Sequence, residues 1–143
     1  AKVRVTAKDQ NQFGGLIMMG LDYSAIVVKR VGDEFELQQI TCLKADKGKP
    51  EKVNIIAKLK PTEVDKIDYQ PAIHEDIYLR MMVNEGICNF AYSLDGKKYK
   101  KVGESFKMRE GKWIGAKIGF VAAEPAGKAN RGWLEADWFH VTK

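Results

Sequence analysis

Apolar and polar residues alternate with a period of two through most of this chain, and that period places successive side chains on opposite faces of a strand. Lys2–Ala7 opens the series. Residues 15–21 form a short apolar run that reads as a buried strand, and a strand over 24–30 follows an Asp22-Tyr23 turn. Val31-Gly32-Asp33 turns the chain into Glu34–Cys42, where Phe35, Leu37 and Gln39 share one face. A polar loop with Gly48 and Pro50 covers residues 44–52, and another strand covers 53–59.

Residues 60–75 carry the weakest pattern and are broken by Pro61 and Pro71. Thr62 suits the cap of a short helical turn over 62–67. Alternation resumes at 77–84, with Ile77, Leu79, Met81 and Val83 facing one way and Tyr78, Arg80 and Met82 the other. Asn84-Glu85-Gly86 turns the chain into a strand over 87–94. The Asp95-Gly96 pair then predicts a two-residue type I′ hairpin joining 91–94 to 98–102, because both positions of that turn need positive φ. Residues 111–115 make a loop around Trp113, residues 116–123 a strand, and 124–132 an exposed loop with Pro125 and Gly127. The last strand covers 133–141. About ten strands spaced roughly 8–14 residues apart, without a long helix or a crossover pattern, predict an all-β antiparallel two-sheet sandwich or jelly roll.

The chain has 143 residues, 45% hydrophobic and 30% charged, which suits a single domain over 1–143 with its own core. Net charge is +5. The lysines fall mainly in the turn-like stretches 44–52 and 97–101, interleaved with acids, and read as a solvated rim rather than a phosphate-binding patch; no nucleic-acid partner is expected. No apolar run approaches the roughly 18 residues that span a bilayer, so no membrane partner is expected. Cys42 and Cys88 sit in separate apolar runs without metal spacing and read as buried thiols, while a disulfide between them is not deducible. The chain begins at Ala1 and enters a strand at once, as a mature or excised piece of a longer protein would.

Candidate chemistry is sparse. His74 and His140 belong to no metal-ligand pattern, and no Gly-x-Ser-x-Gly elbow or phosphate-binding glycine loop is present. Glu135 and Asp137 share a strand face roughly 6.5–7 Å apart, within the window of about 6.5–9.5 Å used by inverting glycosidases. Two acids on one strand point in parallel, however, whereas a catalytic pair converges from different elements. They read as a solvent-facing or calcium-binding pair, and a structural calcium would take Asp137 as an oxygen ligand. Sugar binding needs flat aromatic faces beside directional polar groups, and Trp113, Trp133, Trp138, Tyr23, Tyr78, Tyr92 and Tyr99 are the candidates. Trp138, in phase with Leu134 and Ala136, is assigned to the core. Trp113, between glycines and near Lys112 and Arg109, is the residue placed for display.

Four strings, in order, carry a resemblance: Gly15-Leu16-Ile17-Met18-Met19-Gly20-Leu21-Asp22-Tyr23, Phe90-Ala91-Tyr92-Ser93-Leu94-Asp95-Gly96-Lys97, Arg109-Glu110-Gly111-Lys112-Trp113-Ile114-Gly115-Ala116-Lys117-Ile118-Gly119, and Ala136-Asp137-Trp138-Phe139. Together they resemble the C-terminal concanavalin A-like domain of family 43 glycoside hydrolases, the β-xylosidase and α-arabinofuranosidase group. The resemblance implies a β-sandwich without catalytic carboxylates, which belong to a five-bladed propeller upstream in the same chain. It also implies further strands ahead of Lys2. A loop of the family domain packs on the propeller and sets an aromatic side chain at the rim of the active site; Trp113 is the matching residue, with Lys112, Arg109, Asp22 and Tyr23 as its substrate-facing or interdomain neighbours. The expected role is that of a non-catalytic accessory domain in a periplasmic or secreted enzyme acting on xylan- or arabinan-type oligosaccharides, without a cofactor beyond such a calcium. The alternative is an autonomous carbohydrate-binding module for plant polysaccharide.

Overall fold

The computed structural model describes residues 1–109, 111, 115–127 and 131–143. Among them the chain forms β1 (Lys2–Ala7), β2 (Phe13–Met19), β3 (Tyr23–Val31), β4 (Glu34–Cys42), β5 (Lys52–Leu59), β6 (Glu63–Ile67), β7 (Gln70–Asn84), β8 (Ile87–Ser93), β9 (Lys100–Lys107), β10 (Lys117–Ala123) and β11 (Trp133–Trp138), with one 3₁₀ turn at Ala45–Lys47. All the pairings are antiparallel. One sheet runs β11-β1-β7-β8-β9 with β6 beside β7, and the other runs β10-β2-β3-β4-β5. The fold is the expected two-sheet sandwich.

Alternation explains the core. Val3 and Val5 of β1, Ile77 and Leu79 of β7 and Phe90 of β8 point inward from one sheet. Leu16 and Met18 of β2, Ile26 and Val28 of β3, and Phe35 and Leu37 of β4 meet them from the other. Each such side chain withdrawn from water stabilises the fold by about 1.5–3 kcal/mol. Gly15 lets β2 and β3 lie close: a Cβ there would sit 1.9 Å from the Ile26 carbonyl oxygen. Cys42 and Cys88 are both buried free thiols, as read from the sequence, and burial raises the Cys88 thiol to about 12.

Three local readings are corrected. Residues 62–67 are not a helical turn: Glu63–Ile67 is β6, paired with β7 around a two-residue turn in which Asp68 (φ 50) and Tyr69 (φ 65) are both left-handed. The groups that would have capped a helix are used across the sheet, since Thr62 N–H donates to the His74 carbonyl and Asp76 N–H donates to the Thr62 hydroxyl. The β8–β9 hairpin exists, with Tyr92 opposite Lys100, but its loop spans residues 94–99 and is no type I′ turn. Gly96 has the expected positive φ (74) whereas Asp95 does not. The Asp95 carboxylate instead accepts from the Lys97 and Lys98 N–H groups and the Ser93 hydroxyl. Paired positive φ occurs at Glu85-Gly86, which joins β7 to β8.

Trp138 is the third correction. The β1–β11 register slips between Lys2 and Val3, so that Val3 faces Ala136 but Lys2 faces Trp138. Asp137 is the extra residue of this bulge, and bulges re-aim the side chains that follow. Trp138 therefore leaves the face of Leu134 and lies half-buried on the outside, 6.2 Å from the Tyr78 ring and stacked on His140 at 4.6 Å.

Candidate functional site

Two of the residues singled out by sequence form a built cluster. Asp22, in the β2–β3 turn, is buried, while Arg109 follows β9 after Met108. The Arg109 guanidinium holds Asp22 with both ends, Nε to Oδ2 at 3.1 Å and Nη2 to Oδ1 at 2.6 Å. Nη2 also reaches Asp46 at 2.9 Å, and the Lys44 N–H donates to Asp22 at 2.6 Å. The Leu21 N–H donates to the Arg109 carbonyl at 3.2 Å. This two-pronged geometry is the strong form of a guanidinium–carboxylate contact. The guanidinium holds the Asp22 carboxyl below the usual carboxylate range, and the two acids raise Arg109 in turn.

The effect is to tie the start of the loop after Arg109 to both the β2–β3 turn and the β4–β5 connection. Tyr23 lies beside this cluster and donates its hydroxyl to Glu51; burial and that contact raise its pKa. Lys112 and Trp113 lie outside the described residues. Asp46 and Glu51 were missed by sequence reasoning, because both sit in the polar 44–52 loop, where one acid looks like any other.

A second feature adjoins the cluster. The ladder pairs place Ile17, Ala25, Ile40 and Val53 in one row across the outer face of the five-stranded sheet, and Val121, Gly15, Val27, Gln38 and Ile55 in the next. Met19 and Tyr23 continue this face toward Asp22. Ala25, Val27 and Ile40 are buried by Phe13, Ile17, Tyr23 and Val121 around them, whereas Met19 is 49%, Val53 49% and Ile55 58% exposed. The signal was present in the sequence: β2 and β3 are apolar on consecutive positions, as in strands that bury both faces.

The outer face of the six-stranded sheet is different in kind. Arg4 pairs with Asp76 at 3.0 Å and with Glu63, and Lys2 pairs with Asp137 at 2.9 Å. His74 is buried between the Thr6 hydroxyl and the Asp65 carboxylate, each at 2.8 Å, in a structural network. Glu135 stands opposite Arg4 on this face, and Asp137 is held by Lys2. Among the described residues no group of three or more His, Cys, Asp or Glu side chains is placed to hold a metal, and no helix is long and apolar enough to cross a membrane.

These features define a concanavalin A-like sandwich with an anchored loop beside an apolar sheet face. The sequence profile of the β-xylosidase C-terminal concanavalin A-like domain matches residues 1–142, and the chain belongs to that family. A β-xylosidase from Formosa agariphila is 33% identical over 64 residues, which cover 45% of this chain and 10% of that protein. Among solved structures, a variant of the family 43 glycoside hydrolase BlXynB from Bacillus licheniformis superposes with a TM-score of 0.58 at 11% identity. That superposition covers 93% of this chain and 25% of the other, so the chain spans about a quarter of that protein's length.

Proposed function

We propose that this chain is a non-catalytic accessory domain of a glycoside hydrolase acting on xylan- or arabinan-type oligosaccharides. It docks on a catalytic domain in the same polypeptide through the outer face of its five-stranded sheet, while the loop anchored by Arg109 carries Trp113 to the rim of the substrate pocket. The apolar outer face, with Met19, Val53 and Ile55 exposed around buried Ala25, Val27 and Ile40, carries this reading. Five strands of this length present a face of roughly 500 Å², short of the about 800 Å² per partner that independent association usually buries. A face of that size suits a partner held at high effective concentration by a covalent link. Its continuity with Tyr23 and Asp22, which Arg109 holds, supports a shared role for this face and the segment after Arg109.

The test uses the polypeptide that joins this domain to its catalytic partner. Val53→Lys together with Ile55→Lys charges the face at exposed positions, so the melting temperature of the 143-residue chain alone should be unchanged. In the joined protein the same pair should open the junction to limited proteolysis and lower kcat/KM several-fold. Unaltered protease resistance and activity would remove this face as the docking surface.

A further inference from the structure

At the end of the sandwich opposite the Arg109 cluster, a cavity of about 210 Å³ opens between the sheets. Its walls are the first residue of β2 (Phe13), the last two of β10 (Ala122 and Ala123), and the start of β11 (Trp133), together with Thr6, Gln12, Glu124, Arg131 and Gly132. The length of β2 separates it from Asp22 by about 20 Å. We propose that this cavity binds one neutral sugar ring of a polysaccharide, as a second glycan contact remote from the loop that carries Trp113.

Size, chemistry and rigidity support the assignment. The volume equals that of about seven liquid waters, the scale of a single sugar ring, and falls below the roughly 300 Å³ at which sites for drug-sized ligands begin. Trp133 is 38% exposed and, with Lys8 Nζ over its ring at 6.0 Å, offers its remaining aromatic surface to the apolar C–H face of a sugar. The Glu124 carboxylate accepts hydrogen bonds and the Arg131 guanidinium donates them. A ligand with adjacent hydroxyls satisfies both, whereas a net anion or cation would meet one of them as a like charge. Glu124 sits on a prepared frame. Gln12 is buried, its Oε1 accepts from the Lys8 and Asp9 N–H groups at 2.8 and 3.0 Å, and its Nε2 donates to Glu124 at 3.0 Å. Gly132 packs against that frame so closely that a Cβ there would lie 2.7 Å from Gln12 Oε1 and 2.6 Å from the Thr6 carbonyl oxygen. The carboxylate is thus positioned before any ligand arrives. The other outer aromatic candidate, Trp138, already has His140 stacked on it and Tyr78 beside it.

Calorimetric titration of the 143-residue chain with xylotriose, arabinotriose and cellotriose in separate arms tests the proposal and identifies the sugar. Saturable heat is expected in at least one arm, with affinity weakened about tenfold by Trp133→Ala and by Glu124→Gln, and unchanged by Trp138→Ala. Should Trp133→Ala fail to fold, Glu124→Gln and Arg131→Ala carry the test from the loop alone. No heat in any arm, or affinity indifferent to these substitutions, overturns the site. Tighter binding of trigalacturonate than of the neutral sugars overturns the neutral class. The Val53→Lys, Ile55→Lys pair should leave this affinity intact, so failure of the docking reading and failure of this one are separable.

Discussion

Glu75 stands opposite Val5 in the β1–β7 ladder, between Ile73 and Ile77, and so its side chain points into the sandwich. It is 4% exposed, and its Oε2 has no hydrogen-bond partner. Burial and then the neighbouring Asp76 charge push the carboxyl up to about 7, against opposing hydrogen bonds from Thr62. A carboxyl raised in the native state keeps its proton when the unfolded chain has lost it. Stability from this group is therefore undiminished below pH 4.5, falls as pH rises toward 7, and is fully lost above 7. The loss is on the order of 3 kcal/mol. Glu75→Gln removes the titration while keeping the shape. Melts at pH 5 and pH 8 should show the variant gaining on the parent at the higher pH, and equal differences at both would clear Glu75 as the source. Nothing in the local pattern flagged this residue, because one acid among several in the poorly patterned 60–75 stretch looks like part of a loop.

At the scale of elements, legibility followed how much of the pairing was local. Glu34–Cys42 is the strand read from sequence, since its alternation is clean and the Gly32-Asp33 turn bounds it. Glu63–Ile67 was not legible: its residues are exposed or half-exposed on both sides, so no period marks it, and Thr62 imitates a helix cap. Trp138 was misplaced because a bulge is a register event between β11 and β1, invisible to either strand alone. The Asp95-Gly96 signal gave the right hairpin and the wrong turn, since Asp95 serves as a side-chain acceptor for a longer loop. Gly96 remains essential for two reasons: its φ is 74, and a Cβ would lie 2.8 Å from the Tyr78 ring. Gly96→Val should cost roughly 2 kcal/mol, read as a lower urea midpoint with an unchanged slope. Stability equal to the parent would mean that the loop relaxes without strain.

Across the whole molecule, the two sheets present opposite characters. The six-stranded sheet faces outward with paired charges, and the five-stranded sheet with partly exposed apolar rows that lead to Asp22 and Arg109. The proposed accessory role needs this combination: a face that fixes the orientation of the domain, and an anchor at Arg109 near the edge of that face. If the anchor matters through the loop, Arg109→Ala in the joined enzyme should raise KM and lower kcat/KM in the same direction as Trp113→Ala. The double variant should then lose little more than either single one, because both act through one loop and their effects are not additive. Removing the guanidinium also takes away the largest influence that lowers the Asp22 carboxyl. Its contribution, present at neutral pH and lost as pH falls below the usual carboxylate range, should shrink in the acid limb of the stability profile. Multiplicative losses in the double variant would instead separate the anchor from the tryptophan, leaving Arg109 as a clamp between β strands and nothing more.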